Sequence, residues 1–315
     1  MDKHRSSFKV QLKVLTPLHI GSGETISKLD YFLEAGRCWR INLDTLFADP
    51  DFQPLREKFL ESAPSGQPID QLIPKELLKR HIRYKIPLHF SAQNANLIEV
   101  RLFTKSAGRV YIPGSSLKGA VLSALCYDIL MRRPQDADAV LRRYSDPLGI
   151  TLPELGGTGE SKFTHWLDVS DSDFHSPEES LEIVQAKVTG ARRGGQIPIL
   201  YETLKPDTRF TFALKLDSHS RLTPENLFQK VGEFYRMVLA KDRLSIDTAL
   251  SINGILIRLG QGSGMFATSL LLLAQDLRLT HLYRLPRVDT RIGPRTRKRI
   301  QQNIPMGWAE LEVVK

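Results

Sequence analysis

Hydrophobic and polar residues alternate strictly near the start of the chain, over residues 8–15. Four apolar side chains share one face of this stretch: Phe8, Val10, Leu12 and Val14. Two lysines and a glutamine lie between them and point to the opposite face. Because successive side chains of a β-strand point to opposite sides, the pattern predicts a half-buried strand with a basic outer face.

Other stretches continue the strand pattern. Residues 31–43 predict a hairpin that turns at Ala35–Arg37. Further strands are predicted within residues 86–112, 162–169, 182–189 and 199–216, and a Gly/Thr/Pro-rich loop over 152–161.

Helical periodicity appears in two long segments. One begins after Pro113 and continues to about Arg133, with a buried stripe formed by Leu117, Val121, Ala124, Leu125 and Ile129. The other follows a capping Thr223, with Pro224 in its first turn. Residues 44–85 are mostly helical in pattern but are divided by four prolines, and they predict an insertion. Strands and isolated helices mix without a regular β–α rhythm, which predicts an α+β fold.

Composition narrows the class of protein. The 315 residues have room for about two domains, or for one domain enlarged by insertions. Hydrophobic residues make up 41% of the chain and charged residues 25%, which excludes a disordered or fibrous protein. The net charge of +9 favours a polyanionic partner, and nucleic acid first.

The sequence gives little support for export or a membrane. Its two cysteines cannot form a disulfide framework or a zinc cluster, which suits a reducing compartment. We find no export signal and no apolar run of the roughly 20 residues that a bilayer helix needs. A cytoplasmic protein without membrane contact is therefore expected.

Three short glycine motifs are the main candidates for binding chemistry. The first is His19–Gly23, the second Pro113–Gly119 and the third Arg258–Gly264. Glycine lets the backbone amides approach a phosphate closely. None of the motifs matches the GxxxxGK[ST] pattern of a P-loop, which argues against a nucleotidase.

The second motif contains a local conflict. Lys118 lies in the first turn of the predicted helix, where a cation opposes the helix dipole. A phosphate held by the amides of Ser115 and Ser116 would remove that conflict. Each candidate also has an explanation that involves no ligand. Lys118 could be an ordinary solvated lysine, and His19 could be a buried histidine with its hydrogen bonds satisfied. The third motif could be a tight connection between core elements.

Two further regions are strongly basic. Residues 284–299 contain seven cations and one acid, and Gly293–Pro294 is expected to open a short helix there. Arg192 and Arg193 lie between two strand patterns and are expected at an outward hairpin tip that wedges against nucleic acid. An ordinary solvated face is the alternative for the basic tract.

Acidic residues concentrate in residues 168–182, without a lysine or arginine among them. Asp168, Asp171 and Asp173 lack EF-hand spacing, which favours a solvated acidic loop over a metal site. No hydrolase or kinase motif occurs, so no catalytic residue, metal or cofactor is expected.

The three glycine motifs, taken together with their flanking residues, resemble those of a known protein family. Leu15–Gly23, Tyr111–Ala120 and Leu259–Gly264, in this order, resemble the RAMP superfamily of CRISPR effector proteins. The hairpin Asp30–Asp44, the helical insertion after it and the ending Pro294–Trp308 are most similar to the capping subunit of the type III-A Csm complex.

The resemblance implies a ferredoxin-like core related to the RNA recognition motif, with a second, degenerate unit of this kind as an option. The core would comprise residues 1–43 and 86–220, interrupted by the insertion 44–85 and followed by a C-terminal part, 221–315. It also implies a thumb hairpin near 183–203. The implied partners are guide RNA, target RNA, the backbone and small subunits of the complex and a trimming nuclease.

The implied function is a non-catalytic subunit that caps the 3′ part of the guide RNA and supports its maturation in antiviral defence. The expected RNA-binding residues come from the three motifs, the hairpin tip and the basic tract: His19, Gly21, Ser22, Gly23, Ser115, Ser116, Lys118, Arg192, Arg193, Arg258, Gly260, Gln261, Gly262, Ser263, Gly264, Arg295 and Arg297. The stacking signature of the RNA recognition motif is absent, so contacts to phosphates are expected instead.

Two other classes of function remain open. A RAMP-class endoribonuclease, or a backbone subunit that cuts target RNA, would use Asp30, or His19 as a general base. Asp30 has no evident acidic or lysine partner and is also explained as a turn residue. A protein-binding scaffold would be indifferent to RNA, which the basic tract argues against.

Overall fold

The computed structural model describes residues 5–90, 99–143, 165–189, 199–218, 222–241, 254–283, 288–294, 297–300 and 304–314. Its strands are β1 (Arg5–Val14), β2 (Gly21–Ser27), β3 (Tyr31–Glu34), β4 (Arg37–Ile41), β5 (Ile82–Pro87), β6 (Glu99–Phe103), β7 (Lys105–Ser106), β8 (Arg109–Val110), β9 (Leu167–Val169), β10 (Leu181–Thr189), β11 (Ile199–Leu204), β12 (Arg209–Asp217), β13 (Ile255–Arg258), β14 (Arg297–Ile300) and β15 (Trp308–Val314).

Its α-helices are α1 (Leu43–Phe47), α2 (Arg56–Ser62), α3 (Ile69–Leu72), α4 (Lys75–Arg80), α5 (Gly114–Met131), α6 (Pro134–Arg143), α7 (Pro177–Ser180), α8 (Pro224–Lys241), α9 (Met265–Thr268) and α10 (Leu271–Asp276). Short 3₁₀ turns at Pro50–Leu55 and Ala63–Ser65 join the first helices. Within the described ranges, no helix combines the length and the apolar character needed to cross a bilayer. The mixture of sheets and helices confirms the α+β prediction.

Sheet A contains the alternating strand predicted from residues 8–15. Its order is β13-β15-β1-β12-β9, and β1 is antiparallel to both β12 and β15. Val10, Leu12 and Val14 are completely buried under α5 and α8. The two long helices therefore cover one face of the sheet, and the lysines of β1 lie on the other.

Sheet B contains the first motif, in β2. Its order is β14-β10-β11-β6-β2, with β10 and β11 antiparallel as a hairpin, and β11 and β6 parallel. The strands of the predicted hairpin are thus present, but its tip, with Arg192 and Arg193, lies outside the described residues. β2 is an edge strand, which leaves one side of the first motif open.

The segment predicted as an insertion has a small core of its own. Phe52, Phe59 and Leu78 are among its buried residues, packed beneath β3 and β4. The hairpin turn predicted at Ala35–Arg37 is present between β3 and β4, with φ of 50° at Ala35 and 70° at Gly36. The helical part ends at Arg80 instead of continuing to residue 85, because β5 begins at Ile82 and pairs with β4 in sheet C.

The strand pattern over 199–216 is present as two strands, β11 and β12, which residues 205–208 join. Another predicted element was wrong. The short helix expected after Gly293–Pro294 is strand β14, which pairs with β10 between Arg297 and Thr189. The conformation of residues 297–300 is therefore decided by pairing with β10, which is distant in sequence. The predicted loop at 152–161 lies outside the described residues.

Candidate nucleic-acid interface

The first motif enters sheet B at its exposed edge. Gly21, Ser22 and Gly23 are exposed, and the pairing of β2 with β6 is irregular between Gly21 and Thr25. Gly23 has a φ of 88°, a value that favours glycine, with open space where a Cβ would lie. The backbone of these three residues is therefore accessible to a ligand.

His19 is buried rather than facing RNA, so this part of the prediction was wrong. Its side chain is 1% exposed, and Nδ1 lies 2.7 Å from the carbonyl oxygen of Glu202. Burial lowers the pKa of His19 to about 4. The ring is therefore neutral at pH 7, with Nδ1–H as the donor, and it packs edge-on against Tyr201 and Phe103. The alternative of a satisfied buried histidine is confirmed.

The third motif contacts the first directly. The amide of Gln261 donates to the carbonyl oxygen of His19 at 2.8 Å. Gly260 has a φ of 72°, and a Cβ built there would lie 2.2 Å from that same oxygen. Only glycine permits both this conformation and this approach. Two of the predicted motifs, more than 230 residues apart in sequence, therefore form one assembly.

The polar side chains of the third motif serve the protein's own backbone. Arg258 is 3% exposed, donates to the carbonyl oxygens of Met306 and Gly262, and lies 4.9 Å from the Trp308 ring centroid. Ser263 is 2% exposed and donates to the carbonyl oxygen of Gly260. The predicted RNA contacts of Arg258 and Ser263 were wrong, because both side chains are buried in fixing this loop.

The start of α5 is already bound to an acid. The carboxylate of Asp171 accepts the Gly114 amide at 2.8 Å, and the Ser116 amide donates to the Pro113 carbonyl oxygen. A negative group at a helix N-terminus is favourable. The predicted phosphate cradle at the Ser116 amide is therefore corrected to an internal contact, and Ser115 remains exposed.

Lys118 has an acidic neighbour. Its Nζ lies 3.8 Å from a carboxylate oxygen of Asp168, and its side chain is 28% exposed. This carboxylate, with that of Asp171, accounts for a cation in the first turn of α5. An ion pair this long and this exposed is weak, so Lys118 remains accessible to a competing anion.

The second motif connects to the third through α8. The hydroxyl of Tyr235 donates to the carbonyl oxygen of Ala120 at 3.1 Å, and its ring packs edge-on against Trp308. Trp308 in turn stacks with Arg258. The second motif is therefore linked to the third through the core.

Two cations lie close to the His19 ring: Arg101, which sequence reasoning missed, and Lys298, which it counted only as part of the basic tract. The guanidinium of Arg101 lies 5.6 Å from the ring centroid of Tyr201, and Lys298 donates to the Tyr201 hydroxyl at 2.9 Å. Arg101 is exposed and Lys298 partly so. Both act electrostatically on His19, which places them near the first motif. The alternation of Arg101 with buried Val100 and Leu102 is the sequence signal that points to an outward cation.

The described residues leave part of the predicted basic surface untested. Arg192, Arg193 and Arg295 lie outside them, and only the backbone of Arg297, in β14, is described. Arg299, from the same tract, is 9% exposed.

The acidic stretch is largely exposed, as expected for a solvated acidic loop, but several of its carboxylates also have structural contacts. Asp171 and Asp173 accept backbone amides, and Glu182, in β10, is 4% exposed. Burial raises the pKa of Glu182 to about 7. Among the residues that the structure describes, no group of three acidic, histidine or cysteine side chains is arranged to hold a metal ion.

Glu202 joins the elements around the first motif. Its carboxylate accepts hydrogen bonds from the Tyr84 hydroxyl (2.6 Å), the Phe103 amide (2.9 Å) and the Lys105 ammonium (2.5 Å). The side chain is 1% exposed. β11 is thereby tied to β5 and β6, and through its carbonyl oxygen to His19.

The α+β architecture and the contact between the first and third motifs are matched by a known class of protein. The chain belongs to the RAMP superfamily, whose family model matches residues 11–242. Among curated relatives, it is similar to the CRISPR system Cms protein Csm5 of Methanocaldococcus jannaschii, at 29% identity over 181 residues. That alignment covers 53% of this chain and 43% of the relative.

A second curated relative and two solved structures agree with the first. Csm5 of Mycobacterium tuberculosis is 24% identical over 157 residues, covering 42% of each protein, so the alignments span less than half of these relatives. A chain of the type III-A Csm–crRNA–target RNA ternary complex superposes with a TM-score of 0.72 at 22% identity, over 98% of this chain and 100% of that one. The crystal structure of T. onnurineus Csm5 gives a TM-score of 0.71 at 19% identity, over 95% and 99%. The chain therefore shares their fold.

Proposed function

We propose that this protein is the non-catalytic, RNA-binding subunit that caps the 3′ part of the guide RNA in a type III-A CRISPR effector complex. It would contact guide and target RNA and the backbone and small subunits in the cytoplasm. Support for guide maturation, including contact with a trimming nuclease, belongs to the same proposal. The family membership and the fold shared with Csm5 chains support it.

The observation that carries the proposal is the junction of the first and third motifs. The Gln261 amide and Gly260 meet the His19 carbonyl oxygen, and the exposed backbone of Gly21–Gly23 follows at once. Arg101 lies opposite Thr25 in the strand next to β2, and Lys298 reaches the Tyr201 ring that packs on His19, so both add positive charge to the surroundings of the first motif. Accessible amides next to cations are suited to a sugar-phosphate chain, irrespective of its base sequence. Lys118 would join these contacts by exchanging Asp168 for a phosphate.

A ferredoxin-like core is part of the proposal. The centre of sheet A is formed by β12, β1 and β15, in which the middle strand β1 is antiparallel to both neighbours. α5 and α8 cover its apolar face. Two helices on one face of an antiparallel sheet are the layers that such a core requires. Sheet B, with its mixed parallel and antiparallel order, is the place for a second, degenerate unit.

The endoribonuclease alternative has weaker support. The carboxylate of Asp30 accepts the Ser27 amide and hydroxyl and pairs with Arg40 at 2.9 Å. These contacts are those of a turn residue. His19, the other candidate, is enclosed by Tyr201 and Phe103 and has its Nδ1 occupied. A general base must reach the proton that it removes, and the enclosed His19 ring is poorly placed to do so.

The test replaces the two cations beside the first motif. We expect Arg101→Ala combined with Lys298→Ala to weaken binding of single-stranded RNA of any sequence. The slope of log affinity against log salt should become shallower by about 1.4, because two phosphate contacts are lost. Fluorescence anisotropy over a salt series measures both quantities.

The matched control removes two exposed cations from sheet A, Lys9 and Lys215. Lys9→Ala combined with Lys215→Ala changes the net charge equally but leaves the first motif untouched. Equal loss of affinity in both double variants would show that only net charge matters, and would contradict the proposed interface. Thermal unfolding of each variant confirms that the fold is retained.

A further inference from the structure

A cavity of about 320 Å³ opens beside the exposed part of the first motif. It lies between the edge of sheet B, formed by β2 and β6, and strands β4 and β5 of sheet C. Its lining includes Ser22 and Glu24 from β2, Arg40 from β4, Arg83 from β5 and Lys105 after β6. Three cations from three different strands therefore face one space of the size that a small ligand occupies.

Two of these cations are held in position by the protein. One guanidinium nitrogen of Arg40 contacts both the carbonyl and the carboxylate oxygen of Asp30, at 2.7 and 2.9 Å. The Nζ of Lys105 is bound to the buried carboxylate of Glu202. Lys105 also donates to the Phe103 carbonyl oxygen at 3.4 Å, which leaves one of its three N–H groups and the other N–H groups of Arg40 for a ligand. Preorganised donors lose little freedom when a ligand arrives.

Arg83 is the cation that remains free for a ligand. It is exposed, and within the described part of the chain it forms no ion pair with an acid. Glu24 is the single acid among the lining residues that the structure describes, and it lies on the open edge strand. The lining thus carries more positive than negative charge, and an arginine fork is suited to phosphate oxygens.

We propose that this cavity binds the phosphate of one nucleotide of an RNA that lies along the first motif. The inference rests on the proposed function and adds a phosphate site that adjoins the first motif at Ser22. A phosphate at the end of the RNA and a phosphate within it present the same oxygens to Arg83. If the bound phosphate is terminal, binding requires that the end of the RNA strand is phosphorylated; if it is internal, binding does not require this.

The test measures the affinity of Arg83→Ala for one RNA sequence prepared with a 3′-phosphate, with a 5′-phosphate and with neither. We expect about tenfold weaker binding, because one charge-assisted contact is lost. Equal losses for all three RNAs identify an internal phosphate, and a loss confined to one phosphorylated end identifies a terminal one. Affinities within twofold of wild type for all three would overturn the proposal.

Controls separate this site from the proposed function. Glu24→Gln removes the opposing charge and should tighten binding about threefold. Arg209→Ala, which removes an exposed arginine of sheet A, should leave the affinity unchanged. If the wild-type protein binds none of the RNAs, the proposed function itself fails. If it binds them and Arg83→Ala binds equally well, only the cavity assignment fails.

Discussion

Replacing Glu202 with alanine should destabilise the protein by about 3–5 kcal/mol, the cost expected when one partner of a buried ion pair is removed. The variant leaves the Tyr84 hydroxyl, the Phe103 amide and the Lys105 ammonium without their shared acceptor. These groups come from β5, β6 and β7, so β11 loses the side-chain link that joins it to β5 of sheet C and to the end of β6. Chemical denaturation monitored by circular dichroism measures the loss.

The control uses a glutamate in another strand. Glu312, in β15, is exposed, and Glu312→Ala should change the free energy of unfolding by no more than about 0.5 kcal/mol. Adding Lys105→Met to Glu202→Ala should recover part of the stability, because no uncompensated charge then remains buried. Equal effects of the two glutamate variants, or a further loss in the double variant, would show that Glu202 does not join these strands.

Replacing Gly260 with alanine should separate the first and third motifs. The new Cβ would lie 2.2 Å from the His19 carbonyl oxygen, in a backbone conformation with a φ of 72°. Placing alanine in the left-handed backbone region and displacing the loop from His19 should together lower the free energy of unfolding by about 3 kcal/mol. RNA affinity should also fall, because the loop that supplies the Gln261 amide must move away from His19.

Gly66 provides the matched control for this effect. It has the same φ of 72°, but no atom lies within 4 Å of the position of its Cβ. Gly66→Ala should therefore cost only the conformational part, about 1 kcal/mol, and leave RNA binding unchanged. Similar losses in both variants would mean that the close approach to His19 contributes nothing.

Local periodicity was sufficient to predict the elements that depend on their own residues. The alternation from Phe8 to Val14, the hairpin at Ala35–Arg37 and the helix capped by Thr223 all have their signals within one short segment. β14 lacked such a signal. Its conformation depends on pairing with β10, more than a hundred residues earlier in the chain.

The RNA-binding site stays a prediction, but the structure shows which of its residues are accessible. Gly23 and Gly260 have the backbone conformations that favour glycine, one with open space beside it and the other in close contact with His19. The side chains of His19 and Arg258 were misassigned, because burial depends on distant strands that no local pattern reveals. Distance in sequence also hid the Asp171 carboxylate at the start of α5.

Ultraviolet crosslinking of bound RNA, followed by mass spectrometry of the attached peptides, tests most directly whether the first and third motifs form one RNA-binding face. The proposal predicts crosslinks in the peptides that contain Gly21–Gly23, Arg101 and Gly260–Gly264. Crosslinks confined to the outer face of sheet A, around Lys9 and Lys215, would contradict it.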